Sequence, residues 1–385
     1  MLPQALQQAL SEGHWQAARL LIQTSPQPVQ ALGQLLLAAR LRQPRRLRAL
    51  LQEPALRAHP QAQRELALAL YHTLGPEAAR PALGRDSAEM RNLDLLVHSH
   101  AAAAATAHSA SLALRLDRLP VVMAGINDGP EATFVLDTGA ANTLLSRQYA
   151  QQAQLTVLEG EPEDGLQARN RPPFAICPIQ DLRLGGFHSG PTVLAVASLP
   201  PQIQAAGILS PFHSLRGHWW EIDFPRRCLA IHCNGEQQRI PYQEWNRTAL
   251  YWDRGNVFVR ARLNGRQRGL FLLDTGAGAN ILTPAFAAAA GVGQVGSSTG
   301  TVDIQGATQI QPAGLQRLLV GRAGATDDVA YETCISNYSV EARDLAPIQC
   351  AGFVGLPWFR SRRMLVPPDQ RQLYFTQEPG AASTA

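Results

Sequence analysis

An apolar run that ends in Asp-Thr-Gly-Ala occurs twice in this chain of 385 residues, as FVLDTGA at 134–140 and as FLLDTGA at 271–277. Each run is short and rich in Phe, Val and Leu, which predicts a strand buried on both faces. The Asp therefore stands at the end of a core strand, where a lone carboxylate is costly and either shifts its pKa or finds partners. The fold has to accommodate this buried acid at two places.

The sequence around the two motifs is also repeated, which predicts two diverged copies of one β unit. Asn142 corresponds to Asn280 if Gly278 is counted as a one-residue insertion. The other landmarks keep the same order in both copies: Ile126-Asn127 and Leu263-Asn264, DLRLGG (181–186) and RLLVGR (317–322), GILSPF (207–212) and GFVGLPWF (352–359), EIDFPRRCLAI (221–231) and LVPPDQRQLYF (365–375).

The first part of the chain has a different texture, with Leu, Ala, Gln and Arg in excess, and this composition predicts helices over residues 1–105. Trp15, Ala18 and Ile22 are spaced to share one helix face. With Gly13 and Ala17, the region resembles a tetratricopeptide-like helical repeat, which implies a surface that docks a substrate or a protein partner. An ordinary helical bundle is the alternative.

An Ala-rich stretch at 101–111 marks the boundary, and after it short apolar runs alternate with Gly and Pro. The predicted fold class is mainly β, with a pair of related β-barrel halves preceded by the α-helical domain. The first half is expected at 112–233 and the second at 250–376. Residues 234–249 are expected to link them, and 377–385 to form a disordered tail.

Composition and motifs exclude several other classes. The net charge is only +4 and no basic run contains aromatics, so no nucleic-acid partner is expected. GVGQVG (291–296) fits a dinucleotide loop, but it follows a helix-like run instead of a strand. His213 and His218 have no zinc-site spacing, and no G-x-S-x-G motif is present. The sequence therefore predicts no metal and no cofactor.

The cysteines and the ends of the chain leave the compartment open. Cys228 with Cys233, and Cys334 with Cys350, have spacings that would close short loops and leave Cys177 over. No apolar run reaches the length of a membrane span. The N-terminus has no signal-peptide pattern. A cytoplasmic protein is the default expectation, and an exported or periplasmic one follows if a leader was removed.

Both LDTGA segments resemble the active-site loops of aspartic proteases, over roughly residues 112 to 376. The Ala after Gly is similar to the retroviral type, whereas two halves in one chain are similar to pepsins. The resemblance implies that Asp137 and Asp274 are the catalytic pair of a monomeric endopeptidase acting on peptide or protein substrates. Two neighbouring carboxyl groups would share one proton and activate a water, as the aspartate pair of aspartic proteases does.

The resemblance also assigns supporting roles within the two loops. It implies that the Thr residues cross-link the loops, that the Gly residues donate to the carboxylates, and that the Ala residues keep the loops narrow: Thr138, Gly139 and Ala140 in the first loop, Thr275, Gly276 and Ala277 in the second. Because neither loop has a hydroxyl after its Gly, we expect a working pH nearer neutral than that of pepsins.

Residues 159–176 and 296–311 are the candidate flaps, and the second has the Gly-rich character of a retroviral flap. Ser210 stands where the resemblance expects Gly, which predicts a distortion of the first half. The alternative to a peptidase is a non-catalytic peptide-binding or scaffold protein on the same fold.

Overall fold

The computed structural model describes residues 2–83, 88–99, 108–161, 174–233, 235–303, 306–321, 329–336 and 347–376. The helical region spans residues 4–98. It contains α1 (Gln4–Ser11), α2 (Trp15–Gln23), α3 (Gln27–Arg40), α4 (Pro44–Leu50), α5 (Pro54–Arg57), α6 (Pro60–Leu74), α7 (Pro76–Ala79) and α8 (Ala88–His98). Pro is the first residue of α4 to α7, where its missing N–H costs no hydrogen bond.

The rest of the chain is mainly β. The strands of the first half are β1 (Ala110–Ala113), β2 (Arg115–Leu116), β3 (Pro120–Ile126), β4 (Glu131–Leu136), β5 (Leu144–Ser146), β6 (Leu158–Glu159), β7 (Ala175–Ile179), β8 (Leu182–Leu184), β9 (Phe187–His188), β10 (Thr192–Ala197), β11 (Gly207–Leu209), β12 (Trp219–Asp223) and β13 (Cys228–His232). Two short helices interrupt them, α9 (Arg147–Gln152) and α10 (Pro211–Ser214).

Two 3₁₀ helices, Glu236–Arg239 and Tyr242–Glu244, lead into the second half. Its strands are β14 (Asn246–Asp253), β15 (Asn256–Leu263), β16 (Gln267–Leu273), β17 (Asn280–Leu282), β18 (Thr299–Asp303), β19 (Gly306–Val320), β20 (Ala330–Ser336), β21 (Cys350–Val354), β22 (Arg363–Val366) and β23 (Gln372–Phe375). The helices here are α11 (Pro284–Ala289) and α12 (Leu356–Phe359). Strand β14 begins at Asn246, inside the segment 234–249 that the sequence predicts as a linker.

Strands from both halves form one continuous sheet beneath the two motifs. Its order here is β1-β13-β12-β22-β23-β14, and all neighbours are antiparallel. The central pair joins the halves, with Trp220 opposite Val366 and Asp223 opposite Arg363. Ala110 of β1 pairs with Ile231 of β13, and Asn246 of β14 pairs with Phe375 of β23. The two outer strands therefore occupy equivalent positions on either side of the central pair.

The strand that leads to each motif lies in the middle of its half. In the first half β4 lies between β3 and β11, and in the second β16 lies between β15 and β21. In each case the later strand is parallel and the earlier one antiparallel. The strand that follows each motif, β5 or β17, then pairs antiparallel with that same later strand. The later strand therefore lies between the two strands that each motif loop joins.

A single large hydrophobic core fills both β halves and includes fully buried aromatic side chains such as Trp220, Trp358 and Phe359. The helical region has two clusters of its own. A fourth cluster joins it to the second half, where the Trp15 ring lies 5.2 Å from the Tyr251 ring. The prediction of a mainly β chain with an N-terminal helical region is confirmed.

Two smaller features concern the cysteines and membranes. All five cysteines are free, so the short Cys228–Cys233 and Cys334–Cys350 loops are not closed by disulfides. Within the part of the chain that the structure describes, no helix is long and apolar enough to span a membrane. The predicted tail at 377–385 lies outside the described residues.

Candidate active site

Each motif Asp is held at the end of its strand by the parallel neighbouring strand. The backbone N–H of Asp137 donates to the Leu209 carbonyl at 2.9 Å. At the equivalent position in the second half, the N–H of Asp274 donates to the Val354 carbonyl at 3.0 Å. These two bonds fix the backbone position of each Asp, because that backbone continues a central strand.

The two Thr residues tie the loops together. The Thr138 N–H donates to the Thr275 hydroxyl and the Thr275 N–H to the Thr138 hydroxyl, both at 3.0 Å. Each hydroxyl then donates to a carbonyl of the opposite strand, Thr138 to Leu273 at 3.0 Å and Thr275 to Leu136 at 2.7 Å. Both Thr side chains are fully buried. Four bonds therefore join the halves directly beneath the acids.

The carboxyl groups of Asp137 and Asp274 meet across this cross-link, close enough for the charge of Asp137 to act on Asp274. Each also lies against the Gly of the opposite loop. A Cβ on Gly139 would lie 2.6 Å from Asp274 Cγ, and one on Gly276 would lie 2.8 Å from Asp137 Cγ. The Gly139 N–H donates to Asp137 Oδ1 at 2.7 Å. Glycine is thus required at both positions because the opposite carboxyl fills the space of a side chain.

Burial and mutual repulsion set the protonation of the pair. Burial raises the pKa of both carboxyls, and for Asp274 the charge of Asp137 raises the pKa further, well above its usual range. Around Asp137, N–H groups of Gly139, Ala140 and Gly276 partly oppose the rise by stabilising the charged form. Both Asp residues keep some exposure to solvent. Both carboxyls are thus biased towards the protonated form, Asp274 more strongly than Asp137.

Thr143 and Asn280 anchor the neighbouring strand to the first and second loop, respectively. The Ser210 N–H donates to the Thr143 hydroxyl at 3.0 Å, and the Gly355 N–H donates to Asn280 Oδ1 at 2.7 Å. Thr143 and Asn280 each stand six positions after their motif Asp, so the two loops have equal length.

The predicted correspondence between Asn142 and Asn280, with Gly278 as an insertion, is therefore wrong. The structure pairs Thr143 with Asn280, because a hydroxyl oxygen and an amide oxygen can both accept a backbone N–H. Equal spacing from the two motif Asp residues identifies Thr143 and Asn280 as equivalent, although their residue types differ. At one other landmark the two copies make the same contact: the Asn127 N–H donates to the Asp181 carbonyl, and the Asn264 N–H donates to the Arg317 carbonyl at the start of RLLVGR.

Ser210 does not distort the first half as predicted, because it replaces a missing donor. In the second half, the Leu356 N–H donates to the Ala277 carbonyl at 2.8 Å. The first half has Pro211 at that position, and Pro has no N–H to donate. The Ser210 hydroxyl donates instead to the Ala140 carbonyl at 2.6 Å. The carbonyl after each motif Gly is thus satisfied in both halves by different chemistry.

The candidate flaps are described to different extents. Within 296–311, strands β18 and β19 form an antiparallel hairpin that closes from Thr299–Ile310 to Asp303–Gly306, with residues 304–305 outside the described part. For 159–176, β6 pairs antiparallel with β7, and residues 162–173 lie outside the described residues. Among the described residues, no cluster of His, Cys, Asp or Glu could hold a metal ion.

With this geometry in hand, comparison with known proteins gives one informative match. Residues 122–210 match the family model described as Aspartyl protease. The matched segment contains the Asp137 loop and ends at Ser210.

Two other comparisons add little. No curated protein matches the chain. Among solved structures, the aspartic proteinase from Irpex lacteus is similar at 12% identity, with a TM-score of 0.41, over 72% of this chain and 99% of that one. At this identity and TM-score the similarity does not bear on function.

Proposed function

We propose that the chain is an aspartic endopeptidase, with Asp137 and Asp274 as its catalytic residues. The observation that carries the proposal is the facing pair of half-buried carboxyls, each against the Gly of the opposite loop and bridged below by two Thr residues. The family match to residues 122–210 supports the same activity from the first half alone.

The arrangement supports general acid–base hydrolysis with no covalent intermediate. A water between the carboxyls would lose a proton to ionised Asp137 as its oxygen attacks the scissile carbonyl carbon. Asp274 would give its proton to the carbonyl oxygen, forming a neutral tetrahedral diol. Asp137 then returns its proton to the departing amine nitrogen while Asp274 recovers one from a diol hydroxyl. The C–N bond breaks, and both carboxyls return to their starting states.

The raised pKa values support the expected working pH. Because burial keeps a proton on the pair above the pH at which a free Asp ionises, the singly protonated state extends towards neutral pH. One chain carries both acids, so a monomer suffices for the chemistry. The sequence predicts that the helical region docks a substrate or a partner, and this role stays a prediction.

The test is cleavage of a diverse peptide library, read by mass spectrometry with and without a statine-type inhibitor. We expect inhibitor-sensitive cleavage by the wild-type chain. Asp137→Asn and Asp274→Asn should each lower kcat by at least about a hundredfold, because general acid–base groups typically contribute that much or more.

Asp128→Asn is the matched control, since Asp128 is an exposed carboxylate in the turn before β4 and leaves both loops untouched. Wild-type rates in either active-site variant would contradict the proposal. Peptide binding without any cleavage by the wild-type chain would favour the binding-protein alternative.

A further inference from the structure

The helical region contacts a turn of the second half through buried ion pairs. The turn joins β14 to β15 and contains Asp253, Arg254 and Gly255. Arg40 Nη1 lies 2.5 Å from Asp253 Oδ1, with side-chain exposures of only 4% and 10%. Arg254 Nη2 donates to Glu65 Oε1 at 2.7 Å. Removing one partner of a buried pair leaves an uncompensated charge, so these contacts do not open easily.

The tip of the same turn touches the first active-site loop. Gly255 has a φ of +84°, and a Cβ there would lie 2.8 Å from His72 Cε1 and 2.9 Å from both Ala141 Cβ and its carbonyl oxygen. Gly255 is therefore packed between the end of helix α6 and the loop that carries Asp137. Burial lowers the pKa of His72 to about 3, so this side of the contact is uncharged at neutral pH.

The helical region also holds the first half at two places. Arg216, just after α10, donates from Nη1 to the Tyr71 carbonyl at 2.8 Å. Asn92 of α8 accepts from the Glu161 N–H at 2.7 Å and donates to its carbonyl at 2.8 Å. Arg91 adds an ion pair to the Glu161 carboxylate at 2.6 Å. A module that only recruited substrates would not need to contact both halves.

Helix α6 combines the most direct of these contacts. Glu65, Tyr71 and His72 lie on this one helix, and they contact Arg254, Arg216 and Gly255 respectively. The helix thus spans from the second half to the first at the loop that carries Asp137. Glu65 and Tyr71 belong to the same helix, so their attachment points on the two halves are held at a set separation.

We propose that α6 is a clamp that positions the first active-site loop, with Glu65 and Arg254 as positioning residues for the dyad. This inference rests on the proposed peptidase function. The clamp presses Gly255 against Ala141 and so limits how far the Asp137 loop can move from Asp274. It predicts a defect in catalysis rather than in substrate capture when it is broken.

The test uses the full-length chain and a fluorogenic peptide chosen from the cleaved library. Arg254→Met should lower kcat about tenfold or more with KM within about twofold, because small misplacements of catalytic groups cost rate without removing substrate contacts. Arg254→Lys, which keeps the charge, should recover part of the loss. Hydrogen exchange read by mass spectrometry should rise in Arg254→Met over residues 137–146.

Arg80→Met is the matched control, since it breaks an ion pair with Glu77 inside the helical region, away from both halves. It should match the wild type in kcat and in exchange over 137–146. If Arg254→Met is too unstable to assay, Arg216→Met removes one side-chain bond to Tyr71 and should give the same pattern more weakly.

The outcomes separate the clamp from the function on which it rests. Higher KM with unchanged kcat would overturn the clamp in favour of substrate docking, and so would Arg254→Met behaving like Arg80→Met. If the wild-type chain cleaves no peptide, the proposed function fails, and the exchange measurement alone decides the clamp. Unchanged exchange over 137–146 in both Arg254→Met and Arg216→Met would then overturn it.

Discussion

The two β halves hold similar motif loops with different neighbouring residues. In the second half, Asn280 accepts from the N–H of Gly355, and the N–H of Leu356 donates to the loop carbonyl. In the first half, Thr143 accepts from the N–H of Ser210, and the Ser210 hydroxyl donates to the loop carbonyl. The difference shows that the positions of donors and acceptors are kept while the groups that supply them vary. A buried carbonyl without a donor is costly, so losing one donor requires another.

The halves also differ at the turns that precede β3 and β15. Asp-Arg occurs in both turns, at 117–118 and at 253–254. Asp117 and Arg118 are exposed, whereas Asp253 and Arg254 are engaged by the helical region. The helical region therefore contacts the second turn and leaves the first exposed. It also contacts the residue before the second turn, since the Arg42 guanidinium lies 4.0 Å from the centroid of the Trp252 ring.

The largest expected effect tests whether the halves are equal at the Thr cross-link. Thr138→Val and Thr275→Val should each lower the free energy of unfolding by about 3 kcal/mol or more, since each leaves a buried N–H and a buried carbonyl unpaired. Urea unfolding measures this, and Thr→Ser at each position is the control. A large effect in one half alone would break the symmetry described here.

Gly355→Ser tests whether the second half can accommodate a Ser at the position equivalent to Ser210. A Cβ on Gly355 would lie 2.0 Å from the Ala279 carbonyl oxygen, so the backbone must move. We expect a loss of about 2 kcal/mol in unfolding free energy, typical of overpacking, together with reduced peptide cleavage. Wild-type stability in this variant would show that the two loops have the same freedom.

Ser210→Gly tests the donor replacement in the first half. Removing the hydroxyl leaves the Ala140 carbonyl without its donor and should cost about 1 kcal/mol. Adding Pro211→Leu restores a backbone N–H at the position of Leu356, so the double variant should regain part of that loss. If Pro211→Leu gives no recovery in the Ser210→Gly background, the two positions are not coupled.

The smallest effect concerns the pH dependence of the dyad. The folded pKa of Asp274 lies above its unfolded value, so its stabilising contribution is complete at low pH and is lost as pH rises through the folded pKa. Asp274→Asn should therefore be more stable than the wild type at pH 7 and equal to it near pH 3. Chemical unfolding at the two pH values measures this, and a less stable variant at pH 7 would contradict it.

The sequence alone determined the elements that depend on local pattern. The apolar runs before Asp137 and Asp274 predicted core strands, and the excess of Leu, Ala, Gln and Arg predicted helices in the first region. The internal repeat predicted that the two acids belong to related units. These conclusions hold because burial pattern, turn residues and spacing act within a few positions of each other.

Only the tertiary structure decided how the units complete one another. Glu65 meets Arg254 across 189 positions and Arg40 meets Asp253 across 213, and no local pattern marks those pairs. Likewise, Ser210 reads as a departure until Ala140, 70 positions earlier, is seen to need its hydroxyl. Hydrogen-bond satisfaction is a property of the folded neighbourhood, so the donor for a buried carbonyl is identified only when the strands are in place.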